Sequence, residues 1–391
     1  MALTETGIAP ARRDRYTLDG DAAVETRIAR DQLLIAQAVT ALLAPPGFRA
    51  LVLMGGYGRG EGGYCLRNGQ PQAYNDYDYF VVVRDLDQAQ RKALQQALAR
   101  QAKALEHEVG VDVDFALLRE DQLPTAEYSL MNAEMIWGHR VVAGDANVLA
   151  AMPAMPLRTV PLGEFTRLLL NRGALLLMNQ RRLANGETLN AAEQEVFFKY
   201  LFKAILACGD TRLAGNRSYH PSYVEKAKLL NALDWPGQAA FMDLYRQARD
   251  NKFHPDYGRY AAEDAAAWQQ RVVGIWLETL SWFETVRTGK PIGDWTAYCA
   301  PAIPKGQGGQ SWGGLRNAAI TLRDFGLAEL LRQPRWSLRY PRERLISTLP
   351  WLLLNPGTGL PPAPAAALSV PVGTPWPEAT ATFLKWWGRY A

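Results

Sequence analysis

The aspartates Asp76, Asp78, Asp112 and Asp114 and a run of glycines lie between residues 54 and 115, and no other stretch of this sequence is so well suited to chemistry. Met54-Gly55-Gly56-Tyr57-Gly58-Arg59-Gly60-Glu61 comes first, then Asn75-Asp76-Tyr77-Asp78-Tyr79, then Val111-Asp112-Val113-Asp114-Phe115. Residues i and i+2 of a strand face the same side, so Asp76 and Asp78 present two carboxylates about 7 Å apart on one face. Two such charges repel, and a divalent cation between them relieves the repulsion. Magnesium, or manganese, suits carboxylate, water and phosphate oxygens. Asp112 and Asp114 repeat the spacing, and either one can close the metal site as third carboxylate and take a proton from an attacking hydroxyl. Gly55 and Gly56 let backbone N–H groups approach a polyphosphate that a side chain would hold off, and Arg59 adds a cation for the same phosphates. Phosphoryl and nucleotidyl transfer need little beyond in-line positioning and neutralised phosphate oxygens. Each piece alone is commonplace, the glycines as a tight turn and each Asp-x-Asp as a solvated strand edge. Their succession in one short segment points to a nucleotide.

The elements that must position these residues are legible around them. Val24, Ile28, Ile35, Val39 and Leu42 recur at helical spacing, which predicts a helix over 22–43 that Pro45-Pro46-Gly47 stops. Arg49–Met54, Tyr77–Val83 and Val111–Leu117 read as strands, and Leu86–His107 as a polar helix between the last two. Residues 1–155 are thus expected to form an α+β unit, a mixed sheet with flanking helices. Beyond it, helices are predicted over 162–184, 190–208, 222–232, 236–250 and 261–288, a mainly helical domain over 156–300. From 301 to 391 the chain is rich in Gly, Pro and Trp, with a loop over 306–314, a Pro/Ala-rich stretch at 361–367 and a last helix over 377–388. That region is either separate or part of the helical domain.

A hydrophobic content of 48% over 391 residues is that of a globular protein. The net charge of +4 names no partner; nucleic-acid binding is a third reading, resting on the locally basic Arg332–Arg344 alone, and is not the expected one. Cys65, Cys208 and Cys299 have no CxxC spacing and fit the cytoplasm. The first residues, MALTETGIAPARRDRY, lack the apolar core of a signal peptide, and Leu168–Met178 is interrupted by Asn171-Arg172, so no membrane is expected as a partner. His107 and His139 lack metal-ligand spacing, and Trp386-Trp387 is a candidate homodimer contact.

The succession of glycine turn, paired aspartates on one strand and a further aspartate on the next resembles the polymerase β-type nucleotidyltransferase superfamily. The stretch Gly55–Glu61 is similar to the glycine turn of the PII-protein uridylyltransferases. The likeness covers about residues 49–118 and speaks for fold and reaction type more than for substrate. It implies phosphate binding at Gly55 and Gly56, with Tyr57 and Arg59 beside them, metal binding at Asp76 and Asp78, and a third acid at Asp114. The apolar Phe115–Leu118 followed by charged Arg119-Glu120-Asp121 favours Asp114 over Asp112 in that register. The sequence departs from the pattern at Asn75, where many members have serine, and in an insertion at Gly62–Tyr74 that reads as a hairpin or lid. It has no His-Asp dipeptide of the metal phosphohydrolase kind.

The resemblance further implies that a lysine of the helical domain reaches the triphosphate, for which Lys199 and Lys203 are candidates. Their own spacing, with Glu195, suits an ordinary solvated helix face equally well. The expectation is a magnesium- or manganese-dependent nucleotidyltransferase that moves an NMP from an NTP to a hydroxyl, most simply of a small molecule, with release of pyrophosphate. Its alternatives are a protein-modifying or signal-nucleotide-making enzyme of the same superfamily, and a catalytically silent nucleotide-binding regulator. Tyr219-His220-Pro221-Ser222-Tyr223 is a candidate acceptor or base wall.

Overall fold

The computed structural model describes the chain except residues 1–10, 13, 44–46, 304 and 308–312. Pro45-Pro46, the start of the N-terminal stretch and most of the loop expected over 306–314 therefore lie outside the described residues. The fold is α+β, a small mixed sheet accompanied by many helices. Two compact units divide it. The first runs to Val160 and also takes Tyr219–Ala232 and Arg249–Asp256, and the second is Pro161–Ser218, Leu233–Ala248 and Tyr257–Ala391. The units thus interleave along the chain, where the sequence suggested contiguous blocks ending at 155 and 300.

In the first unit, α1 (Ala22–Leu42) starts where the Asp21 carboxylate accepts from Val24 N–H at 2.9 Å. It is followed by β1 (Phe48–Leu53), the single helical turn α2 (Gly55–Gly58), a hairpin of β2 (Tyr64–Arg67) and β3 (Gln70–Ala73), and β4 (Tyr77–Val83). The hairpin is the insertion seen in the sequence, turning at Asn68-Gly69 with φ of 52° and 74°. Next come α3 (Gln88–Val109), β5 (Val113–Arg119), α4 (Leu130–Gly138) and β6 (Arg140–Gly144). An Asp87–Gln90 capping box opens α3 and left-handed Gly110 ends it. The sheet order is β5-β4-β1-β6, with β4 and β5 parallel and the other pairs antiparallel. Alternation gives the sheet two faces. Tyr77, Tyr79, Val81 and Val83 pack with α1 and α3, while Phe80 and Val82 join Ala50, Val52, Leu123 and Met135 in a smaller cluster on the other face.

The later helical segments are α5 (Leu162–Ala184), α6 (Ala191–Gly215), α7 (Tyr223–Ala232), α8 (Gln238–Phe253), α9 (Ala265–Thr288) and α10 (Trp295–Tyr298). Then follow α11 (Gly313–Phe325), α12 (Leu327–Arg332), α13 (Pro334–Ser337), α14 (Pro341–Leu354), α15 (Pro362–Leu368) and α16 (Trp376–Tyr390). Of these α7 and the end of α8 belong to the first unit. In the second, α5 and α9 approach so closely at Gly173 that a Cβ there would meet the Trp276 ring at 2.5 Å. Trp386 stacks on Phe325 with centroids 4.5 Å apart, and the Trp387 indole donates to Asn171 at 3.1 Å. Both tryptophans expected at a dimer contact are thus engaged within their own unit.

Lys305 is fully buried in this unit, its ammonium donating to the Tyr298 and Ile303 carbonyls at 2.8 and 2.9 Å. Burial lowers its pKa to about 8, against the pull of Glu284 and Glu343. Between pH 8 and the unfolded value near 10.5 the unfolded chain binds the extra proton, so this residue's contribution to stability rises with pH across that window. The difference in unfolding free energy between the wild type and Lys305→Met is expected to change by roughly 3 kcal/mol between those limits. Urea denaturation at several pH values measures it, and a constant difference refutes it.

Candidate functional site

The aspartates stand where the strand pattern runs out. Asp76 precedes β4, and Asp78 lies in it between Tyr77 and Tyr79, both buried on the helix-covered face; Asp78 therefore points to the other side of the sheet. On that face the apolar cluster begins only at Phe80, so Asp76 and Asp78 lie beyond its end. The parallel pairing of β4 with β5 sets Asp78 directly opposite Asp114 and Tyr77 opposite Val113. Tyr77 N–H also donates to the Asp112 carbonyl at 2.9 Å. Asp114 is thus the cross-strand neighbour of Asp78, and Asp112 lies just before the strand begins; both Asp112 and Asp114 are exposed.

Like charges crowd this corner. Partial desolvation raises the pKa of Asp114, and Asp76, Asp112 and Glu106 raise it further, with Lys103 opposing. A carboxylate raised in this way is destabilising when ionised, so removing its charge relieves the folded state at neutral pH. Among the described residues no three His, Cys, Asp or Glu side chains close into a ready-made metal cage. The donor set nonetheless fits a hard divalent cation: carboxylates from neighbouring strands, on one face, held in mutual repulsion that a cation relieves. Asp76, Asp78 and Asp114 are the residues that would hold it. Asp114→Asn is expected to cost activity at least tenfold more than Asp112→Asn, and to raise the unfolding midpoint slightly. Steady-state rates and thermal melts of the two variants check this; the reverse ranking moves the third acid to Asp112.

The glycine turn meets the same corner. Met54 N–H donates to the Asp78 carbonyl at 2.9 Å, which brings the end of β1 beside the acids. Gly55 follows with φ of 63°, and a Cβ on it would stand 3.3 Å from Asp78 Oδ2. The left-handed backbone favours glycine, and a Cβ there would crowd the carboxylate. Gly56 has a second reason to be glycine, since a Cβ there would meet the Glu61 carbonyl at 2.9 Å.

Tyr57, expected at the nucleotide, points inward with 1% exposure. Its hydroxyl donates to the Gly63 carbonyl at 2.5 Å and accepts from Tyr74 N–H and Asn75 N–H at 3.0 and 3.1 Å. Burial raises its pKa, which keeps the donated proton in place. Gly63 N–H in turn donates to Asn75 Oδ1 at 2.8 Å. The side chain therefore ties the turn to the residues immediately before Asp76.

Arg59, expected on the phosphates, is also buried, 3.8 Å from Glu61 and 3.9 Å from Glu134. Glu61 accepts from Ser222 Oγ and, at 2.9 Å, from Tyr223 N–H, so it caps the start of α7. Tyr219 donates to Glu134. These contacts hold the 219–223 segment within the first unit. Three cations surround the Tyr223 ring: Lys226 at 4.3 Å, Lys252 at 4.9 Å and Arg59 at 5.7 Å. Lys252 also brings its backbone to the acids' hairpin, since a Cβ on Gly63 would meet the Lys252 carbonyl at 2.3 Å and Asn75 Oδ1 at 2.7 Å. Lys226 and Lys252 drew no notice in the sequence; the one local signal was the Tyr223, Lys226 pair three apart on a helix. Lys199 and Lys203 lie half-buried on α6 in the second unit. No protein-family model, curated protein or solved structure matches this chain at a significant level.

Proposed function

We propose that this protein is a divalent-metal-dependent nucleotidyltransferase that moves an NMP from an NTP to a hydroxyl, with a small molecule as first acceptor class. One observation carries the reading: Asp78 and Asp114 stand side by side on parallel strands, Asp76 is near enough for its charge to act on Asp114, and the side-chain-free Gly55 abuts Asp78. A carboxylate cluster with an open backbone approach matches the needs of a metal-bound triphosphate better than those of a structural strand edge, which gains nothing from mutual repulsion.

A metal bound there would supply charge neutralisation at the α-phosphate and the leaving pyrophosphate. The chain's own residues do the rest. Asp76, Asp78 and Asp114 would hold the metal, and Asp114, the cross-strand neighbour of Asp78, is the carboxylate assigned to take the proton of the attacking hydroxyl. Gly55 and Gly56 let the turn pass close to Asp78 and to the Glu61 carbonyl, and Tyr57 fixes the entry to β4 so that the acids keep their register. Incubation with each NTP, Mg²⁺ and fractions of small-molecule acceptors, read as pyrophosphate release and acceptor mass, tests the reading. Metal-dependent release with an acceptor gaining one NMP is expected; no binding of any NTP by calorimetry overturns it.

A further inference from the structure

The helix α11 is built with its polarity reversed. It buries Asn317 and Thr321, whose side chains donate to the Leu338 and Ser337 carbonyls at 3.1 and 3.3 Å. Leu315 and Leu322, one heptad apart, lie on the opposite side and face solvent, Leu315 with 76% exposure. On the adjoining α12, Leu327 and Leu331 are exposed one turn apart, Leu331 to 72%, and Leu338 beyond α13 is exposed as well. Leu338 lies next to the start of α11, 3.8 Å from where a Cβ on Gly314 would stand. Five leucines in three packed helical segments are therefore offered to the outside.

The charge around them has one sign. Residues 313–344 hold seven arginines against three acids, an excess equal to the net charge of +4 of the whole chain. All three acids are withdrawn: Glu329 and Glu343 are buried, and the Asp324 side chain is 3% exposed under Arg323, Arg389 and Tyr390. Arg316, Arg323, Arg332 and Arg335 remain exposed among the leucines.

We infer that this face docks the protein on an anionic lipid surface. Leucines enter the boundary between headgroups and acyl chains while the arginines meet lipid phosphates. A second copy of the chain would bring like charges together across a two-fold axis, and a nucleic acid would engage the arginines but leave the leucines in water. Peripheral docking needs no spanning helix, and no described helix is long and apolar enough to be one.

Flotation of the full chain with phosphatidylcholine vesicles, with and without phosphatidylglycerol, is the test. Binding is expected only to the anionic vesicles, weakened by high salt, lost in the double variant Leu315→Glu/Leu322→Glu, and weakened roughly fivefold by Arg316→Ala or Arg335→Ala. Circular dichroism confirms that these exposed substitutions leave the helices formed. No binding to anionic vesicles, or binding indifferent to the leucine pair, overturns the inference. So does a dimer in sedimentation that the leucine variant dissolves, or RNA binding through the same arginines without lipid binding.

Discussion

Asp78→Asn, and equally Asp76→Asn, is expected to lower Mg²⁺-dependent nucleotide transfer on the order of 10³-fold while the protein stays folded. Asparagine keeps the shape of the side chain, and the strand-to-strand contacts at Asp78 are made by its backbone: its carbonyl accepts from Met54 and its register pairs it with Asp114. The substitution removes one negative charge beside Asp114, whose pKa Asp76, Asp112 and Glu106 already raise. Activity should therefore fall far more than the unfolding midpoint moves. Pyrophosphate release measured beside a thermal melt separates the two. Wild-type rates in either variant would sink the metal-centred reading, whereas a collapsed melt would mean that the carboxylate holds the fold together.

Tyr57→Phe is expected to destabilise the first unit by about 3 kcal/mol, a large effect for the loss of one oxygen. That oxygen serves three partners, the Gly63 carbonyl and the N–H groups of Tyr74 and Asn75, and the ring around it is buried. Phenylalanine fills the same space and satisfies none of them. Because two of the partners lie immediately before Asp76, the variant should also need several-fold more Mg²⁺ for half-maximal transfer. Urea unfolding gives the first quantity and metal titration the second. A loss of stability with unchanged metal dependence would make the tyrosine a fold residue only.

The strands and long helices were readable because their signals are local. The strand over Tyr77–Val83 and the helix over 162–184 coincide with β4 and α5 to the residue. Elsewhere the reading slipped for physical reasons. The short β6, Arg140–Gly144, went unnoticed because five residues carry too little alternation. The last hundred residues looked irregular through their prolines, yet Pro334, Pro341 and Pro362 sit in the first turn of helices, where a missing N–H costs nothing. At the site, residue types and spacing announced the acids, the apolar run after Asp114 favoured it over Asp112, and the pairing of β4 with β5 sets Asp114 opposite Asp78. Sequence suggested nucleotide contacts for Tyr57 and Arg59, because they stand in a glycine turn suited to phosphates, whereas the structure buries both. Their partners, at residues 61, 63, 74, 75 and 134, are set by tertiary structure.

The bond between Ser222 and Glu61 spans 161 positions of the chain. Joining ends that far apart costs roughly 4 to 5 kcal/mol of chain entropy, and during synthesis it waits until α7 has left the ribosome. The sheet, whose strands all precede residue 145, can assemble earlier. Until then Arg59 and Glu61 lack the segment that covers them, and the order of assembly becomes sheet first, corner last. A fragment cut at residue 160 should accordingly keep its strands, show rapid amide exchange through the glycine turn, and regain protection when the missing 219–256 segment is supplied in trans.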